Sequence, residues 1–334
     1  SIKVNAGNMQ SRSSGRSWNY SFNADATRQL NEKGSSISVR LQYAGSRSKN
    51  DGFTLSSTTY YQIRNSAGND SVLYRNQYQK SPSDGRQYSL GLSLTQPLSK
   101  TTRLQLSYTL SDNNQQNDRS TYDLSGFAGD VPGEAGHLPQ GYETGYLDSL
   151  SNKSHDDVLG HEVALFLSHS TERWEVESGL STGFERRSTQ QKTGLLRADT
   201  TARNINWRPF LQVAWQRKKN RISFRYNGDT RQPSLTDLLS LTDNSDPLNI
   251  VRGNPSLKPS YNHFMYLEAQ NTDIGLMASI GCQQEFNSQT RIIVYNKQTG
   301  GRETYPVNVN GNWSTDAMLR YQKRIKLFNV SAMS

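Results

Sequence analysis

The stretch YSLGLSLTQPLSKTTRLQLSYTL, residues 88–110, decides the fold that the sequence predicts. Apolar side chains occupy every second position from Tyr88 to Leu94 and again from Leu104 to Leu110. A period of two is the spacing of a β-strand with one apolar and one polar face. The residues between the two runs, Pro97 to Lys100, favour a tight turn. The stretch therefore predicts an antiparallel hairpin.

The same alternation recurs on both sides of this hairpin, at 17–28, 37–43, 163–167, 174–184, 211–215, 222–226, 274–284 and 313–321. Tight turns alternate with long connections, as in outer-membrane barrels with short periplasmic turns and long outer loops. The predicted fold class is all-β, an antiparallel up-and-down transmembrane β-barrel. We expect about 12 to 13 strands of a larger, partial barrel.

As a domain, residues 1–334 are expected to form one outer-membrane barrel segment, truncated at both ends. Both termini fall inside strand-like runs, which is the reason for that expectation. Long outer loops are predicted near residues 45–87, 112–157, 185–206, 228–260 and 285–306.

The composition favours a β structure with one apolar face. Hydrophobic residues make up 33% of the 334 residues, and the mean hydropathy is -0.81, which is low for a soluble core of this size. The 17 Tyr, 10 Phe and 5 Trp argue against disorder. A soluble β-sandwich is the competing fold, and strand length and low apolar content argue against it. The net charge of +9 is scattered, so no nucleic-acid partner is predicted.

No pattern in the sequence indicates catalysis or a metal. The single Cys282 excludes an intrachain disulfide framework, and the five histidines lack metal-ligand spacing. No Ser/His/Asp order or nucleophile elbow is present. The acidic run at 243–246 lacks the glycine and the bidentate glutamate of a calcium loop. We therefore predict no enzyme activity, no cofactor and no metal site.

Aromatic residues near the strand ends are predicted to form two membrane girdles, because tyrosine and tryptophan favour membrane interfaces. The girdle candidates are Trp18, Tyr20, Trp174, Trp215, Trp313 and Tyr321.

One connection, RQPSLTDLLSLTDNSDPLNIVRGNPSLKP at residues 231–259, carries four prolines. Its four prolines exclude a regular strand and predict an ordered loop, in which Ser234 caps a helical turn. GNPSLKP at 253–259 resembles a signature of TonB-dependent outer-membrane transporter barrels. PSLTDLL at 233–239, followed by DNSDPL at 243–248, resembles the form in Bacteroidetes-type outer-membrane β-barrel proteins.

This resemblance implies a barrel of roughly 22 strands with a plug in its lumen, in the bacterial cell outer membrane. Its outer loops would capture a ligand for import to the periplasm. The implied partners are outer-membrane lipid, the TonB complex through a plug that this sequence lacks, an unknown imported ligand, and a surface lipoprotein where one exists. The alternative is a passive porin, or a structural or adhesive barrel without energy coupling. The ligand-binding candidates on the loops are Tyr142, Tyr146, Arg231, Asp237, Asp243, Asp246 and Arg252.

Overall fold

A computed structural model describes residues 3–127, 138–194, 196–238, 242–243, 248–325 and 328–333. These residues form strands, one short α-helix and two 3₁₀ turns, Tyr142–Gly145 and Asp148–Leu150. Within the described part of the chain, no helix is long and apolar enough to span a bilayer. The elements are β1 Asn5–Gln29, β2 Ser36–Arg64, β3 Asp70–Pro97, β4 Thr102–Asp123, β5 Asn152–Ser170, β6 Trp174–Thr193, β7 Leu196–Arg217, β8 Asn220–Arg231, α1 Leu235–Leu238, β9 Thr242–Asp243, β10 Asn249–Arg252, β11 Ser260–Asn271, β12 Leu276–Phe286, β13 Ser288–Tyr295, β14 Arg302–Val309, β15 Asn312–Ile325 and β16 Phe328–Met333.

The main sheet has 12 strands in the order β1-β2-β3-β4-β5-β6-β7-β8-β11-β12-β15-β16. Every neighbouring pair in it is antiparallel. β1 and β16 lie at its two edges. This open up-and-down sheet is an arc of a β-barrel, and its strand number confirms the prediction.

The strand register places apolar side chains together on one face of the main sheet. One row across five strands consists of Ile37, Leu94, Leu106, Leu165 and Leu180. The adjacent row, which points to the opposite face, consists of Ser38, Ser93, Ser107, Ala164 and Ser181. We call these the apolar face and the polar face.

The apolar face is exposed rather than packed on a second layer. Leu106 is 49% exposed and Leu165 is 48% exposed, although both lie in the middle of the sheet. An apolar surface of this extent calls for a non-aqueous environment. A single layer with one apolar and one polar face is the arrangement that lipid-facing barrel strands use.

The predicted long loops contain far more strand than irregular structure. β2 and β3 remain paired through most of 45–87, for example at Asn50 opposite Ser81, as far as a turn at 65–69. In 112–157 and 185–206, β4 to β7 likewise extend well into the predicted loops. Period-two patterning indicates only a β-like arm at 54–63 and 72–79 within these loops, because apolar alternation weakens there while backbone pairing continues.

A second, four-stranded sheet in the order β13-β14-β10-β9 is built from two of the predicted loops. β9 and β10 come from 228–260, where the four prolines predict no regular strand. That exclusion was wrong for these short strands, because each fits between two prolines of the sequence. β13 and β14 come from 285–306 and its flank.

Candidate functional site at the long-connection end

Two connections meet at the end of the main sheet where the long connections lie. We call this unit the mouth assembly: α1, β9, β10, residues 253–259, β13 and β14. β10 pairs parallel to β14, with Asn249 opposite Arg302. Arg252 Nε lies 2.8 Å from Glu303 Oε1 across the same pair. Segments about fifty residues apart in the chain therefore fold as one unit.

The short helix α1 is held by a cap at its N-terminus and by a contact with β13. The Asp237 backbone N–H donates to Ser234 Oγ at 3.0 Å, and Ser234 Oγ donates to Asp237 Oδ2 at 2.7 Å. These bonds confirm the predicted cap, which satisfies a helix N–H that has no partner within the helix. Arg291 Nη2 donates to Asp237 Oδ1 at 3.0 Å. Asp237 therefore joins α1 to β13.

Asn254, the second residue of GNPSLKP, connects three parts of the mouth assembly. Its backbone N–H donates to the Asp237 carbonyl at 2.5 Å. Its side-chain Nδ2 donates to the Pro306 carbonyl on β14 at 3.0 Å, and its Oδ1 accepts from the Ser256 N–H at 3.0 Å. An amide with one acceptor and two donors suits this role.

Asn308 on β14 holds the last part of the same motif. Its Oδ1 accepts from the Lys258 N–H at 2.8 Å. Its Nδ2 donates to the Lys258 carbonyl at 3.0 Å and to the Asn287 carbonyl at 2.8 Å. Leu257, the residue before Lys258 in this motif, is buried, with 8% of its surface exposed. The motif is therefore a clamp that fixes how the two connections lie against each other.

A cavity of about 350 Å³ lies between the mouth assembly and the polar face of β1–β3. Leu248, the residue before β10, contributes from the connection that carries the mouth assembly, and Thr54, Ser56, Arg75 and Gln77 contribute from β2 and β3. Hydroxyl, amide and guanidinium groups share this lining with the apolar side chains of Met9, Leu73 and Leu248. A mixed lining of this kind suits a ligand with both hydrogen-bonding and apolar groups.

Tyr142 and Tyr146 belong to a separate aromatic cluster. Their ring centroids lie 5.0 Å and 5.7 Å from that of Tyr122, and Tyr142 lies 5.4 Å from Tyr78. Lys80 Nζ donates to the Tyr142 hydroxyl at 2.6 Å. Tyr78 and Tyr122 have the strand parity of the apolar face, so this cluster lies on the opposite side of the sheet from the cavity. Its contacts hold the segment 138–151 against β3 and β4.

Charge and burial in this cluster set the ionisation of its members. Tyr78 is 4% exposed, and burial, together with the negative charge of Asp51, raises the pKa of Tyr78 to about 12. The hydrogen bond to Tyr142 raises the pKa of Lys80 above its ordinary value. Both effects keep a neutral tyrosine beside a charged lysine at neutral pH.

The Tyr78 shift predicts a titration. Because the neutral form is favoured in the folded protein, its contribution to stability is complete below the ordinary tyrosine pKa of about 10 and is lost as the pH rises through about 12. Absorbance at the tyrosinate band should show late-titrating tyrosine, and Tyr78→Phe should lower the amplitude of that late transition by one residue. The exposed Tyr295 on β13 serves as the control, and Tyr295→Phe should leave the late transition in place. An unchanged late transition in Tyr78→Phe would contradict the assignment.

The remaining ligand candidates fall mainly in or beside the mouth assembly. Arg231 ends β8, and its carbonyl accepts a hydrogen bond from Gln289 Nε2 at 3.4 Å. Asp237 and Arg252 make the ion pairs described above, and the backbone of Asp243 pairs with β10. Asp246 lies outside the described residues. The structure thus brings Arg231, Asp237 and Arg252 to one unit and places Tyr142 and Tyr146 elsewhere.

Of the residues that organise this unit, the sequence analysis includes Asn254 only as part of the 253–259 motif and misses Asn308 and Arg291. An asparagine in a loop has many ordinary roles, so type alone gave no signal. The apolar run at 292–295 was the available indication that a strand crosses the predicted loop.

The girdle candidates lie at both ends of the apolar face. Trp174 is directly opposite Trp215 beside the short turns, where Tyr321 also lies. Trp18, Tyr20 and Trp313 lie towards the other end, and Trp18 is 74% exposed. Two tyrosines that the sequence analysis did not select extend this group, since the Tyr43 ring lies 5.7 Å from Tyr20 and 4.8 Å from Tyr88.

The polar face carries paired charges. Arg208 Nε lies 3.0 Å from Asp229 Oδ1, and the same guanidinium contacts Glu162. Arg221 lies 3.0 Å from Glu175. Among the described residues, no group of three or more His, Cys, Asp or Glu is placed to hold a metal ion. The wall is therefore hydrophilic, as expected of a wet or plugged lumen.

The sequence profile of the outer membrane protein β-barrel family matches residues 165–332, half of the chain. The chain belongs to the outer membrane protein β-barrel family. As in other members of that architecture, the apolar face contacts lipid. The protein is therefore located in the bacterial outer membrane.

Several solved outer-membrane proteins are similar to this family member in structure. The hemophore receptor HasR of Serratia marcescens, solved with its hemophore HasA and heme, has 15% identity and a TM-score of 0.44, over 91% of this chain and 51% of HasR. BauA, the ferric preacinetobactin receptor of Acinetobacter baumannii, has 10% identity and a TM-score of 0.44, over 95% and 52% of the two chains. The outer membrane transporter YddB of Escherichia coli has 12% identity and a TM-score of 0.40, over 96% and 54%.

The chain thus spans about half the length of these solved structures. No curated protein sequence matches it.

Proposed function

We propose that this chain is the barrel portion of a TonB-dependent outer-membrane receptor, which captures a ligand with its outer connections and imports it to the periplasm. The observation that carries the proposal is the mouth assembly. In it, the stretch that resembles the transporter signature, residues 253–259, joins two outer connections. One of these connections also contributes Leu248 to the cavity on the polar face. The proposed role is binding and transport, without catalysis.

The chemistry of the outer end fits a polar ligand. The cavity beside Leu248 offers hydroxyl, amide and guanidinium groups, and Arg231, Asp237 and Arg252 place further charges in or beside the mouth assembly. A siderophore, an oligosaccharide and a peptide all present hydrogen-bonding groups that could pair with these side chains. Energy would come from the TonB complex through a plug domain, and a surface lipoprotein is a further proposed partner.

Growth phenotypes test the energy coupling. Strains lacking this protein, or lacking TonB, are grown on a panel of compounds. Each compound is the sole source of one nutrient: iron from iron chelates, carbon from oligosaccharides, or nitrogen from short peptides. We expect both strains to lose growth on the same panel member, because capture without coupling delivers nothing to the periplasm. Loss in the strain without the protein, together with normal growth in the strain without TonB, would contradict active transport.

A passive porin is the competing function, since a polar wall also suits an open channel. Swelling of liposomes that contain the full-length protein separates the two functions, with arabinose as the permeating sugar. We expect no swelling above that of empty liposomes if the lumen is plugged. Rapid swelling would favour the porin and contradict the proposed receptor.

A further inference from the structure

The strand β13, Ser288–Tyr295, forms one edge of the four-stranded sheet in the mouth assembly. Among the described residues, β14 is its sole strand partner. A sheet edge of this kind presents a row of backbone N–H and C=O groups that can pair with another polypeptide strand. We call the side of β13 that is turned away from β14 the free edge.

The turn between β13 and β14 fixes which residues form the free edge. The Asn296 N–H donates to the Gly301 carbonyl at 2.8 Å, so it points towards β14. Backbone groups alternate in direction along an antiparallel strand. The residues whose backbone groups point away from β14 are therefore Arg291, Ile293 and Tyr295. Proline has no N–H to donate, and Pro306 stands opposite the first of these residues, in agreement with an unbonded pair there.

The free edge lacks the features that usually protect a sheet edge. Protected edges carry charged side chains or proline, or they are covered by other parts of the protein. On β13, Ile292, Ile293 and Val294 are 36%, 46% and 51% exposed. The one charged residue of the strand, Arg291, is engaged by Asp237 at 3.0 Å. A β-branched, exposed and unprotected edge indicates a binding surface.

The position of the hairpin β13–β14 favours a small partner. At its tip, the Thr299 carbonyl accepts from Asn5 Nδ2 at 2.9 Å, and Asn5 has the strand parity of the polar face. At its base, Gln289 Nε2 donates to the Arg231 carbonyl at the end of β8 at 3.4 Å. The hairpin therefore reaches from β8 to β1 on the polar side of the main sheet. A second barrel in the same membrane would meet the apolar face instead.

The free end of the hairpin carries positive charge without a counter-charge. Lys297 is exposed, and it makes no ion pair with any other described residue. Arg302, at the start of β14, donates to the neutral amide of Asn249. The single carboxylate of the hairpin, Glu303, is paired with Arg252 at 2.8 Å. An acidic group on the partner is therefore favoured beside this end.

We propose that the free edge binds an extended peptide that bears an acidic residue, and that the peptide adds one strand to the sheet of the mouth assembly. This inference rests on the proposed receptor function and selects the peptide among the three ligand classes considered there. A peptide backbone offers alternating donors and acceptors that match those of Arg291, Ile293 and Tyr295. An oligosaccharide or an iron chelate presents no strand of this kind. The apolar side chains of β13 would pack against their cross-strand neighbours in the peptide.

Binding of a labelled peptide to the full-length protein in detergent, measured by fluorescence anisotropy, tests the proposal. The probe is a peptide of about eight residues in which valine and threonine alternate between two terminal glutamates. The control probe has the same sequence with every backbone nitrogen methylated, which removes the N–H donors and keeps the side chains and the charge. We expect the control probe to bind at least about tenfold more weakly, because the ladder of hydrogen bonds is lost. Equal binding of the two probes, or no binding of either, would overturn the proposal.

The variant Ile293→Pro locates the probe on β13. It removes an N–H from the free edge and leaves the N–H groups that point to β14 in place, and proline is tolerated on edge strands. We expect at least about tenfold weaker probe binding, whereas Ile293→Ala, which keeps the N–H, should weaken binding at most about threefold. Heat-modified gel migration and unchanged hydrogen exchange at 248–260 verify folding. Equal binding by the two variants would overturn the proposal, and if Ile293→Pro alters that exchange, the methylated probe decides.

Failure of the peptide inference and failure of the receptor function give different results. Probe binding at the free edge, together with normal growth of the strain without TonB, would support the peptide site and contradict active transport. Loss of growth on a panel member that is not a peptide, together with no probe binding, would contradict the peptide inference alone.

Discussion

Leu92→Arg is expected to impair the insertion of this protein into lipid vesicles. Leu92 lies between Val39 and Tyr108 on the apolar face and is 40% exposed. An arginine at mid-depth on a lipid-facing position costs about 2 to 4 kcal/mol, enough to shift the folding equilibrium roughly 30-fold or more. The folded fraction is measured by heat-modified gel migration after dilution from urea into vesicles. Leu106→Arg, in the neighbouring row, should behave alike.

Ser93→Arg is the matched control. Ser93 is the next residue of β3 and lies between Ser38 and Ser107 on the polar face. An added charge there meets the lumen, so the variant should insert as the parent does. Equal insertion of Leu92→Arg and the parent, or failure of Ser93→Arg alone, would contradict the assignment of the two faces.

Asn308→Ala is expected to release the 253–259 segment while the main sheet remains folded. The substitution removes one accepted and two donated hydrogen bonds and leaves two Lys258 backbone groups without these partners. We expect the mouth assembly to lose about 1 to 3 kcal/mol. Hydrogen exchange of peptides that cover 248–260 should accelerate accordingly, with exchange of β3 and β4 unchanged.

Gln298→Ala provides the control for this measurement. Gln298 lies exposed at the tip of the same hairpin, between β13 and β14. Exchange in 248–260 should match the parent. If Asn308→Ala also left that exchange unchanged, the clamp role of Asn308 would be wrong.

The sequence was sufficient to predict the membrane-spanning part of the fold, because one face meets lipid and the other meets water. Leu90, Leu92 and Leu94 therefore alternate with polar residues, and the alternation defines strand and face together. Beyond the apolar band this contrast ends. Asn50 and Ser81 pair across β2 and β3 in water on both sides, so nothing in their pattern distinguished a strand from a loop.

The candidate site was only partly predictable for a different reason. The motif at 253–259 could be found, but its partners Pro306 and Asn308 lie about fifty residues away in sequence. Contacts of that separation are set by tertiary packing, which local pattern does not contain. Tyr142 was selected for its residue type, and type alone could not indicate on which side of the sheet its loop packs.

The account depends most directly on which face of the main sheet meets lipid. Single nitroxide labels at each position from 88 to 95 on β3, in a Cys282→Ser background, report this through collision with oxygen and with a water-soluble nickel complex. The account predicts a period of two, with even positions accessible to oxygen in the bilayer and odd positions accessible to nickel in the lumen. Loss of the alternation, or the opposite phase, would contradict it.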